Sequence, residues 1–434
     1  MLTPVIVFGI TCIVMILSVL FFPKLKIGKT EIGVYWIVTL IGAIAVFLCS
    51  TTDIEKIGAA LASQNEINPL KILALFLSMT FISVFLDELG FFKKLADVAI
   101  KRNKSGQKGL FFSLYALVSV LTVFTSNDVI ILSFTPFICY FAKNAKISPI
   151  PYLISEFVAA NTWSMALIIG NPTNIYLATS AGIGFTEYLK YSLLPTLTGG
   201  GVSLAVLYLL FRKTLKAPLS CDTENVQIAD KFLMWVGLAH LAAATVLLAI
   251  GSYIGLQMWL AAVCTAASLF VIAAVYSLIR KKTIKPLGAS LLRMPYEIIP
   301  FVLSMFVMVI VLDDVGVTGA IGSFLGSDLS VLKYGVLSFL SSNLVNNIPM
   351  SVLFSSVIDG GAAGLPAVFA TVIGSNIGAF LTPVGALAGI MWSSIINKHG
   401  VKFNCLDFIK MGTIVSFPAL FASLGGLWVS ISIF

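Results

Sequence analysis

The sequence predicts an all-α polytopic membrane protein, an inverted repeat of about ten spans plus two re-entrant hairpins. Three observations predict this. The 434 residues are 59% hydrophobic and 11% charged, with a mean hydropathy of +1.02. Many runs reach the roughly 20 residues that cross a bilayer as helix. Residues 303–316 match residues 77–90 without gaps, and six of the 14 positions are identical. Finally, a polar knot interrupts a long apolar run in each half. The first is Thr125-Ser126-Asn127-Asp128, and the second is Asn343-Leu344-Val345-Asn346-Asn347-Ile348-Pro349. Non-helical backbone at membrane depth is tolerated only inside protein or beside a wet cavity. A matched pair of such interruptions points to a transporter site at a repeat interface.

Taken in order, the first span covers about residues 3–22, read as a span and not as a cleaved leader because it has no small-residue cleavage site. A second covers 32–50, and a loop of mixed charge fills 51–70. A third, 71–90, ends in Leu86-Asp87-Glu88-Leu89-Gly90. Residues 91–108 are basic, and Phe91, Phe92, Leu95, Val98 and Ile100 give them an apolar face, so an amphipathic interfacial helix is expected. The hairpin 109–142 follows. Its first leg, about 16 residues or ~24 Å, falls short of the bilayer core, and both outer ends are basic, so a hairpin dipping in from the cytoplasm is expected, with two full spans as the alternative. The span 152–180 is broken at Gly170-Asn171-Pro172-Thr173-Asn174, where Pro removes a helix donor. A span at 188–211 closes the first repeat, 1–216. Residues 217–231 are read as a cytoplasmic linker.

The second repeat, 232–434, has spans at 232–250, 256–279 and 297–316 and a connecting stretch at 317–333. The hairpin 335–358 comes next. The broken span 364–396 is interrupted at Gly374-Ser375-Asn376-Ile377-Gly378 and again at Thr382-Pro383. A last span covers 408–432.

Basic residues orient the chain. With both termini outside, every Lys and Arg except Lys56, Lys71, Lys190 and Lys333 falls on the cytoplasmic side. The segment 71–90 then runs inward and 297–316 outward, so the repeat is inverted. The net charge of +8 reflects these loops and carries no nucleic-acid footprint. The six cysteines and two histidines form no metal-ligand spacing, and no metal or cofactor is expected. No nucleophile–base pair supports an enzyme. The absence of a Gly-x-x-x-x-Gly-Lys motif means that any ATP use needs another chain.

The candidate pocket combines the hydroxyls of Thr125, Ser126, Thr173, Ser375 and Thr382 with the amides of Asn127, Asn171, Asn174, Asn343, Asn346, Asn347 and Asn376. Helix capping competes with ligand binding for these residues, and the recurrence of the breaks in two matched pairs favours binding. Four acids are candidates for coupling ions. Asp128 stands at the first knot, where a helix cap is the competing reading. Glu156 stands early in a span, where partnership with a helix dipole competes. Asp87 and Asp313 stand at span ends, where solvation competes. The knots and breaks contain no Lys or Arg, which favours a neutral polyhydroxy solute or a small cation.

Several motifs together resemble the ArsB arsenite efflux permeases. They are Leu86-Asp87-Glu88-Leu89-Gly90-Phe91-Phe92, the Asn127-Asp128 hairpin, Phe157-Val158-Ala159-Ala160-Asn161-Thr162, Asn346-Asn347-Ile348-Pro349, and Leu381-Thr382-Pro383-Val384-Gly385-Ala386-Leu387-Ala388 with Trp392. The wider resemblance is to the ion transporter superfamily, with its NhaD-type sodium/proton antiporters and divalent-anion symporters. It implies an elevator-type transporter in the bacterial inner membrane that exports arsenite or antimonite in exchange for protons. It also implies a homodimer and, in some relatives, an ArsA-type ATPase partner. Gly170-Asn171-Pro172-Thr173-Asn174 departs from the Ser-Asn-Leu-Val-Asn type of those permeases and is closer to other branches, which include sodium/proton antiporters and organic-anion carriers.

Overall fold

Local signals in the sequence set the helix boundaries. The computed structural model describes residues 2–22, 24–27, 30–62, 68–102, 106–218, 227–280, 285–359 and 363–434. Among them are twenty α-helices, ten in each half. The first ten are α1 (Leu2–Phe21), α2 (Val34–Leu48), α3 (Ile54–Ala62), α4 (Pro69–Glu88), α5 (Phe91–Arg102), α6 (Gln107–Phe124), α7 (Asn127–Asn144), α8 (Ile150–Trp163), α9 (Pro172–Ser180) and α10 (Phe185–Phe211). The second ten are α11 (Lys231–Ile254), α12 (Met258–Ile279), α13 (Lys285–Leu292), α14 (Ile298–Asp314), α15 (Val317–Leu325), α16 (Ser330–Val345), α17 (Asn347–Asp359), α18 (Gly364–Gly378), α19 (Leu387–Lys398) and α20 (Cys405–Ile433). A short antiparallel ribbon, β1 (Lys24–Ile27) and β2 (Thr30–Gly33), joins α1 to α2, with Lys24 opposite Gly33.

Caps explain several starts. Asn68 accepts from the Leu70 N–H at 2.8 Å, ahead of Pro69 at the first helical position of α4. Asp230 accepts from the Phe232 and Leu233 N–H groups and opens α11. Gly316 adopts φ +79°, and there α14 and α15 meet at 76°. Gly90, its counterpart in the repeated segment, has φ +83° between α4 and α5.

Several helix contacts recur under a shift of ten helices. Helix α6 lies on α8 as α16 lies on α18, α8 on α10 as α18 on α20, and α7 on α19 as α17 on α9. The leading pairs are exchanged: α1 and α2 pack on α14, whereas α11 and α12 pack on α4. The two halves also meet through α8 with α18 and α10 with α20. Glycine permits the closest approaches. A Cβ at Gly374 would stand 2.5 Å from the Gly335 carbonyl oxygen of α16, and one at Gly426 would stand 3.1 Å from the Leu194 carbonyl oxygen of α10. Small residues at crossings are the usual means of bringing helices together in lipid.

The fold is that of a multi-pass helical membrane protein. Six described helices, α4, α6, α10, α11, α12 and α20, are long and apolar enough to cross a bilayer, and the bent pair α14–α15 passes as a seventh.

Five local expectations are corrected. The loop 51–70 contains α3, and the connecting stretch 317–333 contains α15. Each leg of the first hairpin has 18 residues, about 27 Å of helix, so the first leg is long enough to span. Residues 374–378 do not break α18: their glycines serve contact with α16, and the break falls at 379–386. Glu156 is the seventh residue of α8, beyond the first turn where a helix dipole acts, and is therefore not a partner of that dipole. Of the linker 217–231, residues 219–226 lie outside the described residues.

Candidate functional site

Two interrupted helices supply the polar backbone of the site. Helix α6 stops at Phe124, Ser126 is extended (φ −141°, ψ 144°), and α7 restarts at Asn127. In the second half, Asn346 holds φ +73° between α16 and α17, a conformation costly for a residue other than glycine. Its amide nitrogen donates to the Val384 carbonyl at 3.0 Å, and the Asn347 N–H donates to the Gly385 carbonyl at 3.0 Å. The second knot is thus tied to the break between α18 and α19. The first is tied to the end of α8, where Asn127 Nδ2 donates to Asn161 Oδ1 at 3.0 Å.

A buried amide network joins the two halves. Asn376 Oδ1 accepts from Asn171 Nδ2 at 2.9 Å and lies 2.8 Å from Ser164 Oγ. Asn376 Nδ2 donates to Asn174 Oδ1 at 2.7 Å and to the Val372 carbonyl. Asn174 Nδ2 donates to the Ser164 and Leu167 carbonyls. Asn171 also caps α9, accepting from the Thr173 N–H. Asn343 donates to the Gly378 carbonyl at 3.1 Å and accepts from Thr382 Oγ1 at 2.7 Å. Continuous contacts therefore run from Asn127 through Asn161, Ser164 and Asn376 along α18 to Gly378 and Asn343. Buried amides demand such partners.

The sixteen anticipated residues divide by what their side chains already do. Asn127, Asn171, Asn174, Asn343, Asn346, Asn376 and Thr382 are hydrogen-bonded within the protein, and Thr125 donates to the Leu121 carbonyl. Ser126 makes only a 3.5 Å approach to Asn127. The buried hydroxyls of Thr173 and Ser375 have no partner among the described residues. Asn347 is buried, and its side chain forms no hydrogen bond among the described residues.

Asp128, half-buried at the tip, likewise has no hydrogen-bonded side chain, and Tyr35 of α2 lies within its electrostatic reach. Glu297, beside Tyr35, accepts from the Gly33 N–H at 2.8 Å. Glu156 is 2% exposed and accepts from Thr135 Oγ1. Asp87 is paired with Arg293 at 2.7 Å, and Glu88 pairs with the same guanidinium. Asp313 accepts from Thr318 at the exposed end of α14.

Packing also brings the second tip to the first break. Ile348 of α17 and Pro172 and Tyr176 of α9 line one small apolar cavity with Ile72, Phe76 and Val302 of α4 and α14. Asn161, Ser164, Thr135 and Tyr35 were not singled out as site residues in the sequence. Asn161 had a signal, an amide directly after the apolar run 157–160, but nothing local distinguishes the other three.

The sequence profile of the citrate transporter family (CitMHS) matches residues 10–371. The arsenical pump membrane protein of Escherichia coli strain K12 is 28% identical over 386 residues, covering 83% of this chain and 86% of that protein. The putative arsenical pump membrane protein of Bacillus subtilis strain 168 is 24% identical over 413 residues, covering 87% and 90%. The crystal structure of the Alcanivorax borkumensis YdaH transporter superposes with a TM-score of 0.55 at 15% identity, covering 99% of this chain and 98% of that one.

Proposed function

The chain belongs to the CitMHS citrate transporter family, and from that premise we propose that it is a secondary active transporter exporting arsenite or antimonite in exchange for protons. One observation carries the choice of solute. The two knots and two breaks, residues 125–128, 164–174, 343–349 and 379–386, contain no Lys, Arg or His. A citrate-like trianion would call for cations or several free helix N-termini. Arsenous acid is a neutral triol at pH 7, and hydroxyl and amide groups suit it. The relatives named as arsenical pump membrane proteins support the same reading.

The unspent groups are the ones assigned to the solute: Ser126, Asn347, Thr173 and Ser375, with Asp128 at the rim. The hydrogen-bonded asparagines hold the two halves in register around them. Asp87 and Asp313, engaged at helix ends, are assigned to structure and not to coupling. The inverted repeat and elevator movement are part of the proposal. The recurrence of helix contacts under a shift of ten helices supports the repeat, and the exchanged packing of α1–α2 and α11–α12 supports a frame against which the remaining helices slide. The charge asymmetry of the loops supports termini outside the bacterial inner membrane. A homodimer or an ArsA-type ATPase partner is compatible with this chain.

Arsenite uptake into inverted vesicles, driven by an imposed pH gradient, is the test. Gradient-dependent uptake is expected, and its absence sinks the choice of solute. A second reading, sodium/proton exchange, is favoured by the Asp128 carboxyl group, which has no hydrogen-bonded partner among the described residues. Sodium-induced dequenching of a pH dye in the same vesicles would select it.

A further inference from the structure

We infer that Glu156 is a proton-binding site buried in the body that carries the substrate and separate from the substrate pocket. Its role rests on the proton-exchange reading above, and its place rests on geometry. Helix α8 brings Asn161 to the first knot. Glu156 lies five residues back along the same helix, about 7.5 Å from that level. The carboxyl group is enclosed by three helices. From α7, the Thr135 hydroxyl stands 3.0 and 3.1 Å from its two oxygens. The Cys139 thiol, one turn further along α7, is the titratable group within its electrostatic reach. From α19, the fully buried Trp392 indole borders it. Phe157, Phe403 and Phe408 pack on that indole at 5.4–5.7 Å and seal the site. Among the described residues, no Lys, Arg or His pairs with Glu156.

A carboxylate charge without a cation is heavily penalised in such surroundings. The Trp392 indole N–H lies beside the carboxyl group but makes no well-formed hydrogen bond among the described residues. Uptake of a proton forms one carboxyl O–H bond and release breaks it, with no other bond changed. Because Asn127 and Glu156 belong to packed helices, protonation of one place alters the charge carried by the body that holds the other. Substrate and proton need not compete for the same atoms.

Infrared spectroscopy on the purified full-length protein tests this without any solute. A protonated-carboxyl carbonyl band at neutral pH is expected in the parent and in Asp128→Asn, and it should vanish in Glu156→Gln. Trp392→Phe and Thr135→Val should shift the band without removing it. A Glu156→Gln spectrum that keeps the band overturns the proposal. In vesicles, Glu156→Gln should lose pH-driven arsenite accumulation while solute counterflow is slowed far less. Parental accumulation by Glu156→Gln would overturn the coupling role. If the parent moves no arsenite, the solute assignment fails, and the infrared arm still decides Glu156.

Discussion

Asn347 and Asn376 share a side chain and differ in its use. Asn376 has both ends of its amide engaged across the two halves, so truncation leaves Asn171, Asn174 and Ser164 short of partners. Asn376→Ala should cost roughly 3 kcal/mol, from several buried hydrogen bonds lost together. Thermal unfolding in detergent measures it. Asn347 has no internal side-chain partner among the described residues, so Asn347→Ala should leave the unfolding temperature nearly unchanged. Arsenite affinity should instead weaken by about tenfold, the worth of one or two modest hydrogen bonds. Equal melting shifts in the two variants would contradict the division of labour. Both residues were legible as polar groups at membrane depth. Which was already satisfied was not, because the deciding partners are up to 212 residues away.

At the scale of elements, the glycines of α18 show how one pattern supports two readings. Gly374-Ser375-Asn376-Ile377-Gly378 suggested a break, yet α18 continues through it. The need for glycine comes from outside the helix. A Cβ at 374 would meet the Gly335 oxygen at 2.5 Å and the Phe339 nitrogen at 2.7 Å, both backbone atoms that cannot rotate away. Gly374→Ala should therefore abolish monodisperse protein in size-exclusion chromatography. Gly425→Ala in α20 meets nothing within 4 Å and should be tolerated, with a small gain in helix propensity. The polar interruptions at 125–128 and 343–349 and the Pro172 restart were readable because their causes are local. Helix α3 was missed, a short segment where hydrophobic periodicity has little length to register.

Over the whole molecule, three ion pairs at two places fasten the ends of α4 and α14. Arg293, just before α14, holds Asp87 and Glu88 at the end of α4, and Lys56 of α3 holds Asp314 at the end of α14. Their surroundings differ. The Asp87 side chain is 2% exposed, whereas Lys56 is 51% exposed. Arg293→Ala strands a buried carboxylate and should destabilise by roughly 2 kcal/mol, the buried-pair cost discounted for the partly open guanidinium. Lys56→Ala should leave the melting temperature almost unmoved, since exposed pairs contribute little. A larger loss from Lys56→Ala than from Arg293→Ala would reverse the assignment.

Composition and the spacing of apolar runs were enough to establish a helical, multi-pass membrane protein with two polar interruptions. Those properties depend on neighbours in the chain and on the cost of polar groups in lipid, which act the same way wherever the segment sits. Tertiary structure alone decided which amides are consumed in joining the halves and which are left without an internal partner among the described residues. It also decided that Glu156 is sealed behind Trp392 and not spread along a helix entrance. Hydrogen-bond satisfaction and burial are set by atoms brought from distant parts of the chain, and no local pattern encodes them.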